Sequence, residues 1–461
     1  MVLDTARALA RRVGERNVVR LAVTGLRRCG KTVFTTAFID DLLCAGQWPE
    51  LLPFLDVAAR GDLIAAETFA PEGEIPAFPY AESIGAIRGD PAGWPKATER
   101  LHGLRVSIRY RTRNRVARLL GSATRVLTIE LVDYPGEWLL DLPLLAKSYA
   151  DWSRETLGMT RAMPRAVRFE RWLTFLAGID PGAPSVTATL DQAAKLYASA
   201  LRDCATSDTG LFLHQPARIV SPGTFALDDP LLAVCPLPPA PGAAPGSFHA
   251  VMAERYAAYC EHVVAPFYRD HFRRFDAQIV LVDVLGALRH GQASFDDMRA
   301  AIGAVLQSFD YGRTGLRAWL EGARTERVLF AATKADHVSS NQHPNLRRLL
   351  EEVVVREGNR IRFRGVATKA IALSSVRCTE DVLGEVQGQT LSMVRGLPVG
   401  RTTQTALFPG EIPAHFPGPQ DWRDGRFRFL DFLPAPVTGN RGLPHIGIDE
   451  AMDYLIGPRL R

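Results

Sequence analysis

The sequence predicts an α/β fold built on a mostly parallel sheet, and three observations carry that prediction. Residues 18–24 read VVRLAVT, a short apolar run suited to a strand buried on both faces. The run leads directly into the glycine-bounded basic loop GLRRCGKT, residues 25–32. A helical pattern comes next, in which Phe34, Ala37, Phe38 and Leu42 fall near helical spacing and Gly46 stands where a helix C-terminus favours glycine. Further on, Leu127, Ile129 and Leu131 alternate on a run up to Asp133, and apolar runs at residues 279–284 and 328–332 have the look of buried strands.

The composition bounds the rest. A chain of 461 residues exceeds what one core usually fills, so two or three domains or one heavily decorated domain are expected. Hydrophobic residues make up 47% and charged residues 23%, the balance of a globular protein, and a net charge of +5 is too weak to argue for nucleic acid. The six cysteines form no CxxC pair, which suits a reducing compartment and offers no zinc or disulfide framework. The segment MVLDTARALARRVGERN lacks the apolar stretch of a secretory signal, and no apolar run approaches the ~18–20 residues that span a bilayer. The expectation is a cytoplasmic protein, with peripheral contact at the inner membrane left open.

The loop has the chemistry of a phosphate cradle. Gly25 and Gly30 let the backbone curl so that successive N–H groups point at an anion, and the helix after it adds its N-terminal partial charge. Lys31 is placed to reach the β- and γ-phosphates, and the Thr32 hydroxyl to bind Mg²⁺. The run Arg28, Cys29, Gly30, Lys31, Thr32 and Val33 would surround the phosphates, with the side chains of Arg27 and Arg28 reading as solvated.

Further segments bear on which nucleotide is bound. In LTIELVDYPGEW an alternating strand runs up to Asp133, whose carboxylate can support Mg²⁺ through water, while the Gly136 N–H can sense a γ-phosphate. In ERVLFAATKADHV a strand is followed by Lys334 and Asp336. A carboxylate there accepts both guanine N1–H and N2–H₂, a pair adenine does not offer. Lys334 would lie along the base, and His337 would touch base or ribose or serve a structural role. The loop around Ser375 and Val376 ends another strand and offers backbone N–H groups to guanine O6. Phosphate loop, D-x-x-G, apolar strand, T-K-x-D and S-S stand in the order a GTPase domain requires.

The stretches GLRRCGKT, LVDYPGEWLLDLPLL, TKADHV and FPYAESIGAIRGDPAGWPKATERLHGLRVSIRYR resemble the YcjX-like family, stress-associated P-loop GTPases of Gram-negative bacteria, and the likeness spans nearly the whole chain. The resemblance implies a GTPase core with large insertions, Mg²⁺-dependent GTP hydrolysis, and a place in the phage-shock envelope-stress system. A membrane-associated partner of the YcjF type is implied as well. It further implies that Thr98, in WPKATERL, is the first-switch threonine that closes over Mg²⁺ and the γ-phosphate; without it, the residues do not separate Thr98 from Thr68. Trp94 would cover the nucleotide or anchor its loop by packing. The metal set is then Thr32, Thr98 and Asp133, and the catalytic set Lys31, Thr98, Gly136 and Glu137.

Glu137 departs from pattern, since small GTPases usually carry Gln directly after D-x-x-G. A carboxylate there would orient water but repel phosphate, or would stand outside the site as a solvated residue. Slow turnover without an activator is expected. Two other readings stay open: an ATPase or kinase sharing the Walker A loop, and a non-hydrolysing nucleotide-gated scaffold.

The domain expectation is a split P-loop GTPase core, residues 1–139 and 276–395, a helical insertion over 140–275, and a small C-terminal β-containing appendage over 396–461. In the insertion, TLDQAAKLYASALRDC carries Thr189 and Gln192 in capping-box positions. RVSIRYR reads as a half-buried strand with a basic outer face, either a solvated edge or a surface that attracts anionic lipid or an acidic partner, GRFRFLDFLP as a strand, and IDEAMDYLIGPRL as a short helix.

Overall fold

The computed structural model describes residues 17–97, 100–113, 123–310, 325–361, 366–386, 388–423, 426–437, 439 and 441–460. Its centre is a seven-stranded sheet in the order β2-β3-β4-β1-β5-β6-β7. The strands are β1 (Val18–Gly25), β2 (Leu63–Phe69), β3 (His102–Arg111), β4 (Thr124–Asp133), β5 (Ala277–Val282), β6 (Arg327–Ala332) and β7 (Ala367–Ala372). β4, β1, β5, β6 and β7 run parallel, while β3 is antiparallel to both β2 and β4. The expected mostly parallel α/β sheet is therefore present.

The register aligns the strand ends. Val23 of β1 lies beside Asp133, the last residue of β4, and Val282 of β5 lies beside Ala332 of β6, which in turn meets Ala372 of β7. The loops after these strands therefore emerge along one edge of the sheet.

Alternation along the strands fills two cores. Val280, Val282, Val328 and Phe330 face a layer that holds the helices Gln292–Asp310 and His343–Arg360 together with the inserted helices. Leu21, Val23, Ile279, Leu281 and Leu329 face the helix Lys31–Cys44 and the helix Ile448–Leu455. The C-terminal helix thus packs into the core itself, through Ile448, Met452 and Leu455. A second, antiparallel sheet joins β8 (Thr379–Val386), β9 (Gln389–Gly396) and β10 (Thr405–Leu407), and so straddles residue 396.

Between β4 and β5 the chain is mostly helical, with helices Tyr149–Thr160, Arg165–Leu176, Thr187–Thr206 and Phe248–Tyr259. A buried ion pair ties this insertion to the core. Arg165 meets Asp297 at 2.7 Å, and the same carboxylate accepts the amides of Phe212 at 2.6 Å and Leu213 at 3.0 Å. Removing one partner of such a pair leaves a buried charge uncompensated, at a cost of about 3–5 kcal/mol.

Three local expectations are corrected. The helix Thr187–Thr206 begins before Thr189 and has no side-chain cap at Val186, so the capping box does not form. β3 is not an edge strand, because β2 pairs along it; its arginines line a solvated face, and Arg105 is tied to Ala70 O and Glu72. Among its described residues, GRFRFLDFLP forms no strand beyond a single bridge between Pro398 and Phe432. Its alternation instead drives Phe427 and Phe429 into a cluster with Trp422.

Two glycines are required where backbones touch. A Cβ on Gly25 would stand 2.5 Å from Leu281 O and 2.6 Å from Cys29 Sγ. A Cβ on Gly136 would overlap the Gly25 carbonyl. Gly25→Ala is expected to lower stability by about 1–3 kcal/mol, as forced overpacking does. The shift of the urea midpoint measures this, and an unchanged midpoint would contradict the close approach.

Candidate functional site

The edge where the parallel strands end opens onto a cavity of about 930 Å³. One end is built by the phosphate loop. Gly30 takes the left-handed conformation (φ 85°) that starts the helix Lys31–Cys44. Arg28, Cys29, Gly30, Lys31, Thr32 and Val33 all line the cavity. Lys31 Nζ donates to Gly25 O at 3.1 Å, which arches the side chain back over the loop. Burial alone would lower the pKa of this ammonium, but Cys29, Glu137 and Asp133 around it more than offset that, and it lies above its ordinary value. The Cys29 thiol is pushed up to about 12, chiefly by burial.

The D-x-x-G segment lies under this loop. Asp133 is fully buried at the end of β4, and the Tyr134 amide donates to Val23 O at 3.3 Å. Gly25, Asp133 and Gly136 are not cavity-lining residues; they form the floor on which the loop rests. Glu137 does line the cavity and is not solvated: its side chain is 5% exposed, and its Oε1 lies 3.9 Å from Arg27 Nε.

Lys334, Asp336, His337, Ser375 and Val376 line the same cavity. Asp336 sits in a short turn, Ala335–His337, fixed by the Ala335 amide donating to Leu373 O at 3.0 Å. One carboxylate oxygen accepts the Cys378 amide at 2.7 Å, which joins the T-K-x-D and S-S loops. His337 is buried, and burial lowers its pKa below the ordinary imidazole value. Thr98, the expected first-switch threonine, lies outside the described residues.

Two non-glycine residues among those described have positive φ, Arg28 (58°) and Lys334 (61°), and both line the cavity. Such conformations cost on the order of 1–3 kcal/mol each and persist only where neighbours hold them. Arg28 is held by Asp208 at 3.1 Å and Thr206 O at 3.2 Å, both from the insertion. Lys334 Nζ is held by Asp283 at 2.6 Å and Asp431 at 2.7 Å.

Several residues that sequence reasoning passed over belong to this site. Arg27 lines the cavity, where a solvated loop position was expected. Asp283 comes directly after β5, and its place at the end of an apolar run was the available signal. From the C-terminal region come Val399, Asp431 and Phe432, which no local pattern announced. Trp94 donates its indole N–H to Phe432 O at 2.9 Å, and the His337 ring meets Phe432 edge-on at 5.1 Å. The C-terminal region thus walls the part of the cavity next to T-K-A-D.

The insertion forms the remaining wall, through Arg202, Thr206, Ser221, Gly223 and Phe225. It grips the D-x-x-G helix through Trp138. The indole N–H donates to Ser221 O at 2.8 Å, and the Arg218 guanidinium stacks 3.3 Å from the ring centroid. Burial brings Arg218 down to about 10 and lifts the nearby Asp141 carboxyl to about 6, although Tyr259 and the Ala217 amide donate to that carboxyl.

Among the described residues, no group of three or more His, Cys, Asp or Glu side chains is arranged to hold a metal, and no helix is long and apolar enough to cross a membrane. Residues 19–460 match the model of the YcjX-like family, DUF463. A protein of Escherichia coli (strain K12) described as Ras-like GTPase YcjX is 37% identical over 464 residues, covering 98% of each chain. A protein of Shewanella oneidensis with the same description is 33% identical over 484 residues, covering 100% of this chain and 98% of its own. With the family model matched from β1 to the C-terminal turn and two full-length relatives above 30% identity, this chain belongs to the YcjX-like family.

Proposed function

We propose that this chain binds guanine nucleotides and hydrolyses GTP to GDP and phosphate, as a Mg²⁺-dependent switch. One observation carries the reading: the glycine-bounded loop with Lys31 and the aspartate of T-K-A-D line one and the same cavity. Two full-length relatives described as Ras-like GTPases support it.

The Gly30–Val33 backbone and Lys31 would hold the phosphates, with the helix N-terminus adding its partial charge. Asp336 keeps one carboxylate oxygen clear of the Cys378 amide, so a guanine N1–H and N2–H₂ pair has an acceptor. Lys334 and Trp94 would flank the base, beneath a roof formed by Phe432. Thr32 and Asp133 are hard oxygen donors, which suits Mg²⁺ with its preference for few protein ligands and several waters or phosphate oxygens. When bound, Mg²⁺ would neutralise charge on the β- and γ-phosphates. Thr98 is the candidate for the first switch by motif position. Loss of the γ-phosphate would release that segment and the D-x-x-G turn, and the Trp138 contact would pass this change to the insertion. A place in the envelope-stress system, on the cytoplasmic side of the inner membrane with a YcjF-type partner, is the reading the family resemblance carries.

Competition against a labelled GTP analogue tests the guanine reading. GTP is expected to displace the label at least about 100-fold better than ATP, and Asp336→Ala to remove that preference, because it deletes two charge-assisted hydrogen bonds. Equal affinities, or an ATP preference indifferent to Asp336→Ala, would favour the ATPase or kinase reading.

The tail over the base has a pH signature. Burial opposes the charge of Asp431, but Lys334, His337 and Arg289 prevail and hold its carboxyl at about 2. A carboxyl depressed in the fold contributes stability that is complete above its unfolded value and drains as pH falls towards its folded value. The stability difference between wild type and Asp431→Asn is therefore expected to be constant near neutrality and to shrink as pH falls from about 4 towards 2. Parallel urea midpoints measure it, and a difference that grows on acidification would contradict the ion pair.

A further inference from the structure

An unusual charge pair faces the phosphate end of the cavity. Arg27 is in the phosphate loop, and Glu137 stands directly after the glycine of D-x-x-G. Glu137 is not free to withdraw. It is buried at the start of the helix Glu137–Asp141, and the preceding Gly136 is pressed against the backbone of Gly25. A γ-phosphate arriving beside a buried carboxylate would be repelled unless a cation stood between them.

Of the cations lining the cavity, Arg27 is the one paired with that carboxylate. Its Nε lies 3.9 Å from Glu137 Oε1, an ion pair beyond hydrogen-bond reach. The contact holds the guanidinium by charge while leaving its donors for an anion. Its side chain is 28% exposed and lines the cavity, so it has room to swing. Two neighbouring cations have other places: Arg28 is bound to Asp208 and Thr206 O of the insertion, and Lys31, arched over Gly25 O, is the group assigned above to the β- and γ-phosphates.

We propose that Arg27 is an arginine finger supplied in cis by the phosphate loop itself, and that Glu137 holds it in place until a γ-phosphate takes up its donors. The inference rests on the GTPase reading above and names the cation that reading lacks. In the step it serves, the oxygen of a water forms a bond to the γ-phosphorus as the bond from that phosphorus to the β–γ bridging oxygen breaks. The electron pair leaves on the GDP β-phosphate, and the water's proton passes to the departing phosphate. Arg27 transfers no proton; it offsets charge on the γ-phosphoryl oxygens and the bridging oxygen. Glu137, neutralised by Arg27, can then accept a hydrogen bond from the attacking water without repelling its target.

Single-turnover GTP hydrolysis with Mg²⁺ on the full chain tests this, alongside GDP affinity. An arginine in this role is worth about 10³–10⁵ in rate. Arg27→Ala is therefore expected to slow phosphate release at least about 100-fold while changing GDP affinity less than about 5-fold, and Arg27→Lys to recover only a minor part, because it keeps the charge and loses the planar fork. Wild type should form a GDP–aluminium fluoride complex that Arg27→Ala does not form, although both bind GDP. If Arg27→Ala folds poorly, Arg27→Gln serves in its place. A variant that hydrolyses GTP at the wild-type rate overturns the proposal. So does loss of rate in Arg202→Ala with full rate in Arg27→Ala, which would move the finger to the insertion. Failure of wild type to bind GDP would instead sink the GTPase reading and leave Arg27 without a substrate.

Discussion

The approach of Gly136 to the backbone of Gly25 is the contact on which the candidate site depends. No side chain fits between them, so the D-x-x-G turn is pressed against the first residue of the phosphate loop. This has three consequences along the chain. Glu137 is carried into the cavity beside Arg27, at 5% exposure. Trp138 is turned outward from the sheet edge, where Ser221 and Arg218 of the insertion take hold of it. β1, just before the phosphate loop, and the end of β4 are also joined, through the Tyr134 amide and Val23 O. The glycine-bounded loop is therefore joined to the insertion by a short path of packed groups.

The other end of the cavity is organised around Lys334. Its left-handed backbone places the ammonium between Asp283, at the end of β5, and Asp431, from the C-terminal region. Core and tail thereby share one cation. The tail also contributes Phe432, which receives the Trp94 indole N–H and meets the His337 ring. The segment expected to hold the first switch is thus anchored near Trp94 at the base-side end, while its threonine lies in a part of the chain outside the described residues. The insertion closes the phosphate end through Arg28, bound to Asp208 and Thr206 O. Both additions to the sheet serve as walls of one cavity, each fastened by a strained, positively charged residue.

Much of this was legible in the sequence, because the relevant rules are local. An apolar run, a glycine-bounded loop and a helical pattern in succession identify β1, the phosphate loop and the helix Lys31–Cys44; Asp133 ends the run that became β4, and Asp336 stands close after the run that became β6. The illegible part depends on contacts between distant segments. Asp431 reaches Lys334 across 97 residues of sequence, and nothing in FRFLDFLP marks its carboxylate. The same stretch looked like a strand because Phe427 and Phe429 alternate with charged residues, but that alternation serves a side-chain cluster rather than a ladder. Arg27 and Arg28 look alike as neighbours in a basic loop. Only the fold separates them, sending one towards Glu137 and the other towards Asp208. The basic strand β3 misled in the opposite sense: alternation told its two faces apart, but not whether another strand would pair beside it.

A structure of the full chain with a non-hydrolysable GTP analogue and Mg²⁺ tests the central claim most directly, namely that the loops at the carboxyl edge of one sheet enclose a single guanine nucleotide. The account predicts the guanine edge on Asp336, the base beneath Phe432, and the phosphates within the Gly30–Val33 backbone with Lys31 on their oxygens. A base lodged away from Asp336, or phosphates outside the loop that begins at Gly25, would contradict it.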